Sequence, residues 1–494
     1  MRPGPHIRAA AVLTLIAAAL LATPAQAAKA PLAPGAERMK FRFGPVDVTP
    51  GQNANEVALS VKMPKVAGYI TRFEPNLVRT DGSIPRVDVL HLHHAVWVRI
   101  GKVATGIGSL EPTFGVGEEK TIVDLPDGYG WYYQPGQAWV LNHMIHNLYP
   151  STDRVYVEYT LDFVRADSEI GRTMKEVNTI WVDVERGRGY PVFDVLRGLG
   201  AGGLFSYPSQ AVNPYASARG PRNQVTVPAD GDLVYTAGHV HPGGLHTDLF
   251  LTREDRTTRL FRSEAKYWEP AGPVSWDHAM TATPEDWRVA VKQGDVLSIE
   301  SVYESRRGSW YESMGIMPVA FDTGGAAGVD PFLTPVDRPG AITHGRLAEN
   351  RYHGGGPTGL PDPRRLPSGK RLRSRVGIEG FVFGAADLTV NRRVPVIPIG
   401  ARVTFHNRDA RRDVYHTLTA CRAPCNREPG VAYPLANGPV TFDSGQLGFY
   451  YGLPGLSPTA GRDTWTTPAG LARGTYTFFC RIHPFMRGAF RVAG

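Results

Sequence analysis

Short runs rich in Val, Thr and Tyr are cut every few residues by Gly or Pro. With 55 Gly and 41 Pro among 494 residues, no long amphipathic helix finds room, because both residues break helices while β-branched and aromatic residues favour pleated strands. The pattern predicts an all-β chain of short strands and many turns. Gly and Pro make up close to a fifth of the chain, hydrophobic residues 42% and charged residues 20%. This composition excludes a mainly disordered or collagen-like protein, and at about 150 residues per domain the length predicts about three domains.

The N-terminus has the form of an export signal, residues 1–27. Arg2 and Arg8 precede an apolar run from Ala9 to Ala22, and Ala25-Gln26-Ala27 is a small-x-small cleavage site. No later run approaches the roughly 18 apolar residues of a membrane span. The expectation is a secreted, extracytoplasmic protein with no transmembrane segment in the mature chain. Loss of the two signal arginines lowers the net charge from +8 to +6, a modest excess that argues little for nucleic acid in an exported protein. Cysteine occurs three times, too few for a disulfide scaffold. Cys421 and Cys425 are spaced to bridge one loop in an oxidising compartment, which leaves Cys480 as a free thiol.

Along the chain, Ala30 to Gly44 has the look of a proline-containing leader. Strand-like segments then form a first sandwich over residues 45–165 and a second over 176–335. Residues 352–375 are rich in Gly, Pro and Arg and are expected to be a solvated linker. Residues 376–494 have the size of one further sandwich.

The most specific motif is Cys480-Arg481-Ile482-His483-Pro484-Phe485-Met486, following the strand-like Gly474 to Phe479. A thiolate, an imidazole and a thioether at this spacing reach one ion from a single turn, and His416 supplies a second imidazole. Two His, one Cys and a weak axial Met make the ligand set of a blue-copper electron-transfer site. The segment resembles the plastocyanin-like cupredoxins over about 110 residues, including Ile399 to Asn407 before the first ligand and Phe442-Asp443-Ser444-Gly445 between ligand segments. The resemblance implies a Greek-key β-sandwich. Cys480 is flanked by Phe479 and Arg481, so it lacks the adjacent His through which multicopper oxidases and copper nitrite reductases wire this copper to a catalytic one.

Further histidines stand in Leu90-His91-Leu92-His93-His94, in Asn142-His143-Met144-Ile145-His146 and in Gly238-His239-Val240-His241, followed by Glu312-Ser313-Met314. On a regular strand His91 and His93 face one way and His94 the other. Taken in order, these segments resemble the copper type II, ascorbate-dependent monooxygenases, the family of peptidylglycine hydroxylating monooxygenase and dopamine β-monooxygenase. That resemblance implies two consecutive jelly-roll-like β-sandwiches, each with a mononuclear copper, facing each other across a cleft. By position, His93 and His94 correspond to the electron-donating copper, and His239, His241 and Met314 to the oxygen-binding, catalytic copper. For the third ligand of the first site His146 is preferred, lying on the strand face of Met144, which aligns best with the family position; Met144 as a soft substitute and His143 on the other face stay open. Met317 competes with Met314, and His246, His278, His344 and His353 are expected to be surface or loop histidines.

The combined expectation is a secreted copper-dependent monooxygenase that hydroxylates a C–H bond of a small-molecule or peptide substrate. A fused blue-copper domain would relay electrons from ascorbate or an electron-transfer partner. The cofactors would be one type 1 copper and two further mononuclear coppers. A non-catalytic copper-binding or electron-transfer protein is the alternative. A lytic polysaccharide monooxygenase needs a mature N-terminal His, and cleavage before Ala28 does not supply one.

Overall fold

A computed structural model describes residues 31–494 apart from 102–109, 186–190, 196–197, 211–222, 269–275, 307–309, 348–359, 422–440, 449–461 and 484. The signal segment, Cys425 and His353 thus lie outside the described residues. Strands joined by turns and three 3-10 turns make up the regular structure of the described residues. The chain is all-β, as the Gly and Pro punctuation predicts.

In the first sandwich a sheet containing Ala36–Val48, Asp153–Arg165, Gly68–Arg79 and Tyr129–Tyr133 faces a four-stranded sheet of Asn53–Ala58, Trp139–Asn147, Leu90–Ile100 and Leu110–Gly117. Between them lies an aromatic core in which Phe73 stacks on Phe114 at 4.2 Å and meets Trp97 edge-on at 4.7 Å. Where a leader was expected, Ala36–Val48 pairs along Val164 to Asp153. Its largely alternating exposure is that of a strand with one face on the core, and the register shifts once, at Gly44-Pro45 between Phe43 and Val46.

One irregularity positions the site. Leu90, Leu92, Ala95 and Trp97 all join the core, so the inward alternation slips by one residue between Leu92 and Ala95. The register against Trp139–Asn147 shifts at the same place, between Leu92 and His94. This is a β-bulge, in which two residues oppose one, and it turns His93 and His94 to the same outer face that His91 already occupies. The regular-strand expectation for His94 is corrected accordingly.

The second sandwich pairs a sheet of Asn178–Asp183, Gly315–Asp322, Gly231–Thr236 and Val289–Val291 with a larger one that includes Val296–Glu304, Gly244–Arg253, Arg256–Tyr267 and His278–Ala282. Val234, Tyr235, Ala237 and Ala320 of this sandwich belong to the core of the first. Glu111 spans the two: its carboxylate pairs with buried Arg99 and accepts the Thr179 N–H at 3.3 Å.

In the third sandwich the five-stranded sheet Ser368–Arg371, Val394–Pro398, Arg487–Ala493, Gly474–Phe479, Thr419–Cys421 covers Arg375–Ile378, Thr404–Asn407 and Thr464–Thr466. Its first strand comes from the expected linker: Ser368 and Arg371 pair with Val394 and Val396, and Leu366 packs against Leu388, Val394 and Ala489. The cationic run reads as solvated because its arginines point outward, while the leucines between them anchor it. Leu32–Gly494 form one compact unit, so the third sandwich is not held at a distance on a tether.

Candidate metal centres

The turn after Gly474–Phe479 folds Cys480, His483 and Met486 back on one another: the Met486 N–H donates to the His483 carbonyl at 3.0 Å, and the Cys480 N–H to that of Met486 at 3.3 Å. The Cys480 sulfur accepts N–H groups from Thr417 and His483, both at 3.3 Å. It stands 3.9 Å from His416 Nδ1 and 3.8 Å from His483 Nδ1, and these two nitrogens are 3.2 Å apart. All three residues are fully buried, and their ligand atoms lie within 4.8 Å of one another. Among the described residues no other His, Cys, Asp or Glu set of three converges as closely. Met486 is fully buried in the same core as Cys480.

The tautomers agree with a metal site. His416 Nε2–H donates to Asp409 at 3.0 Å, which turns Nδ1 toward the sulfur, where a bound metal would replace its proton. Burial pushes the Cys480 thiol up, but the hydrogen bond and charge of His416 with the two N–H donors more than offset this, and the thiol falls below its usual range. Two imidazole nitrogens and a thiolate-prone sulfur facing one another in a dry site leave lone pairs that an ion satisfies. Two imidazoles and a thiolate are donors that fit a copper ion. Asp409 also accepts the N–H groups of Gly380 and Phe381, so Asp409→Asn keeps the shape and removes the charge. It is expected to weaken metal binding about 10- to 100-fold, measured by chelator competition. Unchanged affinity would show that Asp409 only supports the loop.

Cys421 is disulfide-bonded, and Cys480 is the one free cysteine among the described residues.

The second assembly lies between the first two sandwiches. His91, His93 and His146 group around Trp276: His91 and His146 rings are 5.0 Å apart, His93 and His146 5.7 Å, and Trp276 lies 4.5 Å from His91. His91 Nδ1–H donates to the Val87 carbonyl at 2.6 Å, leaving a buried Nε2 without a partner. Both nitrogens of His146 are likewise buried and unpartnered. His94 is held by Asn142 at 2.8 Å and Asn55 at 3.3 Å. His143 faces away, donating to the Glu56 carbonyl at 3.2 Å and meeting Phe43 edge-on. Met144 packs with Met314, Val192 and Ile316.

His239 pairs with Ile316, and its ring is 4.8 Å from that of His241. The two histidine groups expected on opposite walls of a cleft are in contact, since the His93 and His241 rings are 4.2 Å apart. They meet because His93 lies on the outer face of its strand while the two sandwiches share a core. Burial, followed by neighbouring imidazoles, holds His93 and His241 well below the usual histidine range. Burial lowers His91 to about 4 and His94 to about 3. All four are neutral at pH 7, the form that ligates metal.

Several participants were not singled out from sequence. His91 was visible but displaced by the adjacent-pair expectation. Glu118 and Glu119, fully buried, lie beside His241 at 3.9 Å and His239 at 3.0 Å, and only their adjacency between apolar segments marks them. His278 is not a surface histidine: it is 1% exposed, stacks on Tyr267 and donates to the Val240 carbonyl at 3.0 Å. His344 bonds the Glu119 carbonyl, and His246 is half-buried beside Asp248.

The third sandwich docks beside this assembly. Gln446 donates to Glu312 at 3.3 Å, and Asn53 of the first sandwich reaches the same oxygen at 3.5 Å. Glu312 is itself 3.9 Å from His93 Nε2. Arg481 lies over Trp310 at 4.6 Å, Phe485 meets Tyr149 at 5.4 Å, and Phe381 presses on Gly51 so closely that an added Cβ would lie 2.7 Å from its ring.

No family model and no curated protein matches this sequence. Among solved structures the chain is similar to a Cu-containing nitrite reductase from Thermus scotoductus, at 16% identity and a TM-score of 0.17, the match covering 54% of this chain and 59% of that one, less than two thirds of its length. It is also similar to the STIV MCP, at 10% identity and a TM-score of 0.24, covering 58% of this chain and 97% of that one.

Proposed function

We propose that this protein is an extracytoplasmic copper-dependent oxidoreductase of the monooxygenase kind, in which the third sandwich exchanges electrons with the histidine assembly between the first two. The observation that carries this reading is the docking. His483 is fully buried where Phe381 and Phe485 pack on Gly51 and Tyr149, and its electrostatic neighbours include His146. An electron leaving by His483 therefore enters the first sandwich rather than solvent, and short separations are what electron relay requires of a protein.

Copper, when bound, supplies one-electron redox chemistry and oxygen activation. His416, Cys480, His483 and Met486 would hold the blue centre. His91, His93 and His146 would form the electron-exchanging centre, with His91 taking the place expected for His94, and His239 and His241 belong to the oxygen-reacting one. Val96, Phe114, Val116, Trp131, Trp181 and Tyr235 line an apolar cavity of about 30 Å³, with His94 and His239 in its wall. A cavity of this size and polarity excludes bulk water and admits a diatomic molecule.

The docking of the third sandwich on Gly51 and Tyr149 equally supports a second reading, a copper-binding electron-transfer protein, because electron relay needs only short separations. The Cys421 disulfide supports an oxidising compartment, and no helix among the described residues is long and apolar enough to cross a membrane. Copper quantification with electron paramagnetic resonance on the full chain, coupled to reductant-driven oxygen uptake, tests the reading. Blue and non-blue signals with oxygen uptake are expected. Non-blue copper without oxygen uptake would leave the electron-transfer reading, and a single blue copper would remove the histidine centre from both.

A further inference from the structure

Glu118 and Glu119 are 1% and 0% exposed, and they follow the strand Leu110–Gly117 of the first sandwich to insert beside histidines of the second. Adjacent carboxylates repel each other, and a buried charge without a partner is strongly disfavoured. Glu119 Oε1 accepts the Gly117 N–H at 3.1 Å and stands 3.0 Å from His239 Nδ1. Glu118 Oε1 is 3.9 Å from His241 Nδ1, and both its carboxylate oxygens are buried without a hydrogen bond. His239 Nδ1, the nitrogen that faces Glu119, is buried without a hydrogen-bond partner as well.

Met314 behaves differently. It packs with Met144, Val192 and Ile316, and its backbone is fixed to Tyr303, whose hydroxyl accepts its N–H at 3.1 Å and donates to its carbonyl at 2.6 Å. An apolar cluster of this kind explains a buried methionine fully, without a metal. Two adjacent buried carboxylates facing two imidazoles form instead a donor set that a divalent cation would satisfy.

We infer that Glu118 and Glu119 are metal ligands, completing with His239 and His241 a divalent-cation centre that bridges the first two sandwiches, and that Met314 is core. The inference deepens the proposed function and rests on its placing a metal at His239 and His241. Two imidazoles with two carboxylates are a harder donor set than two imidazoles with a thioether, so the centre takes Cu(II) or Zn(II) in preference to Cu(I). Closing on an ion requires the Glu118–His241 pair to draw together from 3.9 Å, and it clamps the first sandwich to the second.

The test uses the full chain stripped with chelator and titrated with Cu(II) alone or Zn(II) alone. It compares wild type, Glu118→Gln, Glu119→Gln and Met314→Leu by bound metal and by melting temperature of the metal-free form. Either glutamine variant is expected to bind the bridging ion at least 10-fold more weakly, yet to melt no lower than wild type when metal-free, because it removes a buried charge without changing shape. Met314→Leu is expected to keep the ion. Glutamine variants that bind metal normally and melt lower would show structural His–Glu pairs, and loss of the ion in Met314→Leu alone would restore the thioether ligand. Either result overturns the inference, as does a wild-type chain that takes up no ion beyond the blue centre. Uptake of Zn(II) but not Cu(II), lost in the glutamine variants, supports the carboxylate site while overturning the copper oxidoreductase.

Discussion

Cys480→Ser is expected to abolish blue absorption completely while leaving the fold intact. The colour of such a centre comes from thiolate-to-Cu(II) charge transfer, and Cys480 is the one free cysteine among the described residues. The Ser hydroxyl is a harder, shorter donor that stays protonated, so it neither reaches the ion at the Cys distance nor gives the transition. Thr417 and His483 N–H groups that meet sulfur at 3.3 Å can donate to the hydroxyl, and the core around Phe478, Phe490 and Ile397 is untouched. Visible absorption of the copper-loaded chain with far-ultraviolet circular dichroism reads both outcomes. A Ser variant that stays blue would remove Cys480 from the centre.

What the sequence discloses follows from how local each determinant is. Cys480, His483 and Met486 lie in one turn, so their spacing alone brings them together, and His416 follows because a fourth donor is required. The all-β architecture is equally local, written in β-branched runs between Gly and Pro. His94 joins the outer face of His91 and His93 because one extra residue at the bulge reverses the face of everything after it, and no residue type announces a bulge in Leu92-His93-His94-Ala95. Glu118 and Glu119 owe their meaning to a second sandwich more than 100 residues away, which periodicity within one strand cannot encode. The run from Ser368 to Arg375 reads as a solvated spacer because its charges are conspicuous, while its anchoring depends on Leu366 and Leu372 meeting distant strands. His278 reads as a loop histidine because the strand that buries it, His278–Ala282, is short and lies beside Pro and Gly.

The metal-free protein is expected to lose stability steeply as pH falls from about 6.5 to 4, the second large effect. Burial pushes His91 and His278 down to about 4 and His94 to about 3, and holds His93, His146, His241 and His483 well below the usual range. In the unfolded chain each titrates near 6.5. Below that pH the unfolded state binds protons that the folded state refuses, so stability falls with pH until the folded value is reached. A displacement from 6.5 to about 4 corresponds to on the order of 3 kcal/mol for His91 and the same for His278. Carboxyls work the other way: burial raises Glu312 and Asp194 to about 7 and Glu118 well above its usual value, so they add stability as pH falls from 7 toward the unfolded values near 4. These carboxyls, with Asp124, Asp413 and His416, which are raised too, oppose nine imidazoles held low, His143 and His246 included, and the balance favours unfolding in acid. Thermal melts in chelator at pH 7 and pH 5 test this, with a marked drop in Tm expected at pH 5 and a smaller one in His278→Gln, which removes a titrating group that no metal needs. Equal melting at both pH values would mean that the imidazoles are not held neutral. Copper should flatten the same dependence in the wild-type chain, because a ligated imidazole is removed from competition for protons until the ion itself is displaced.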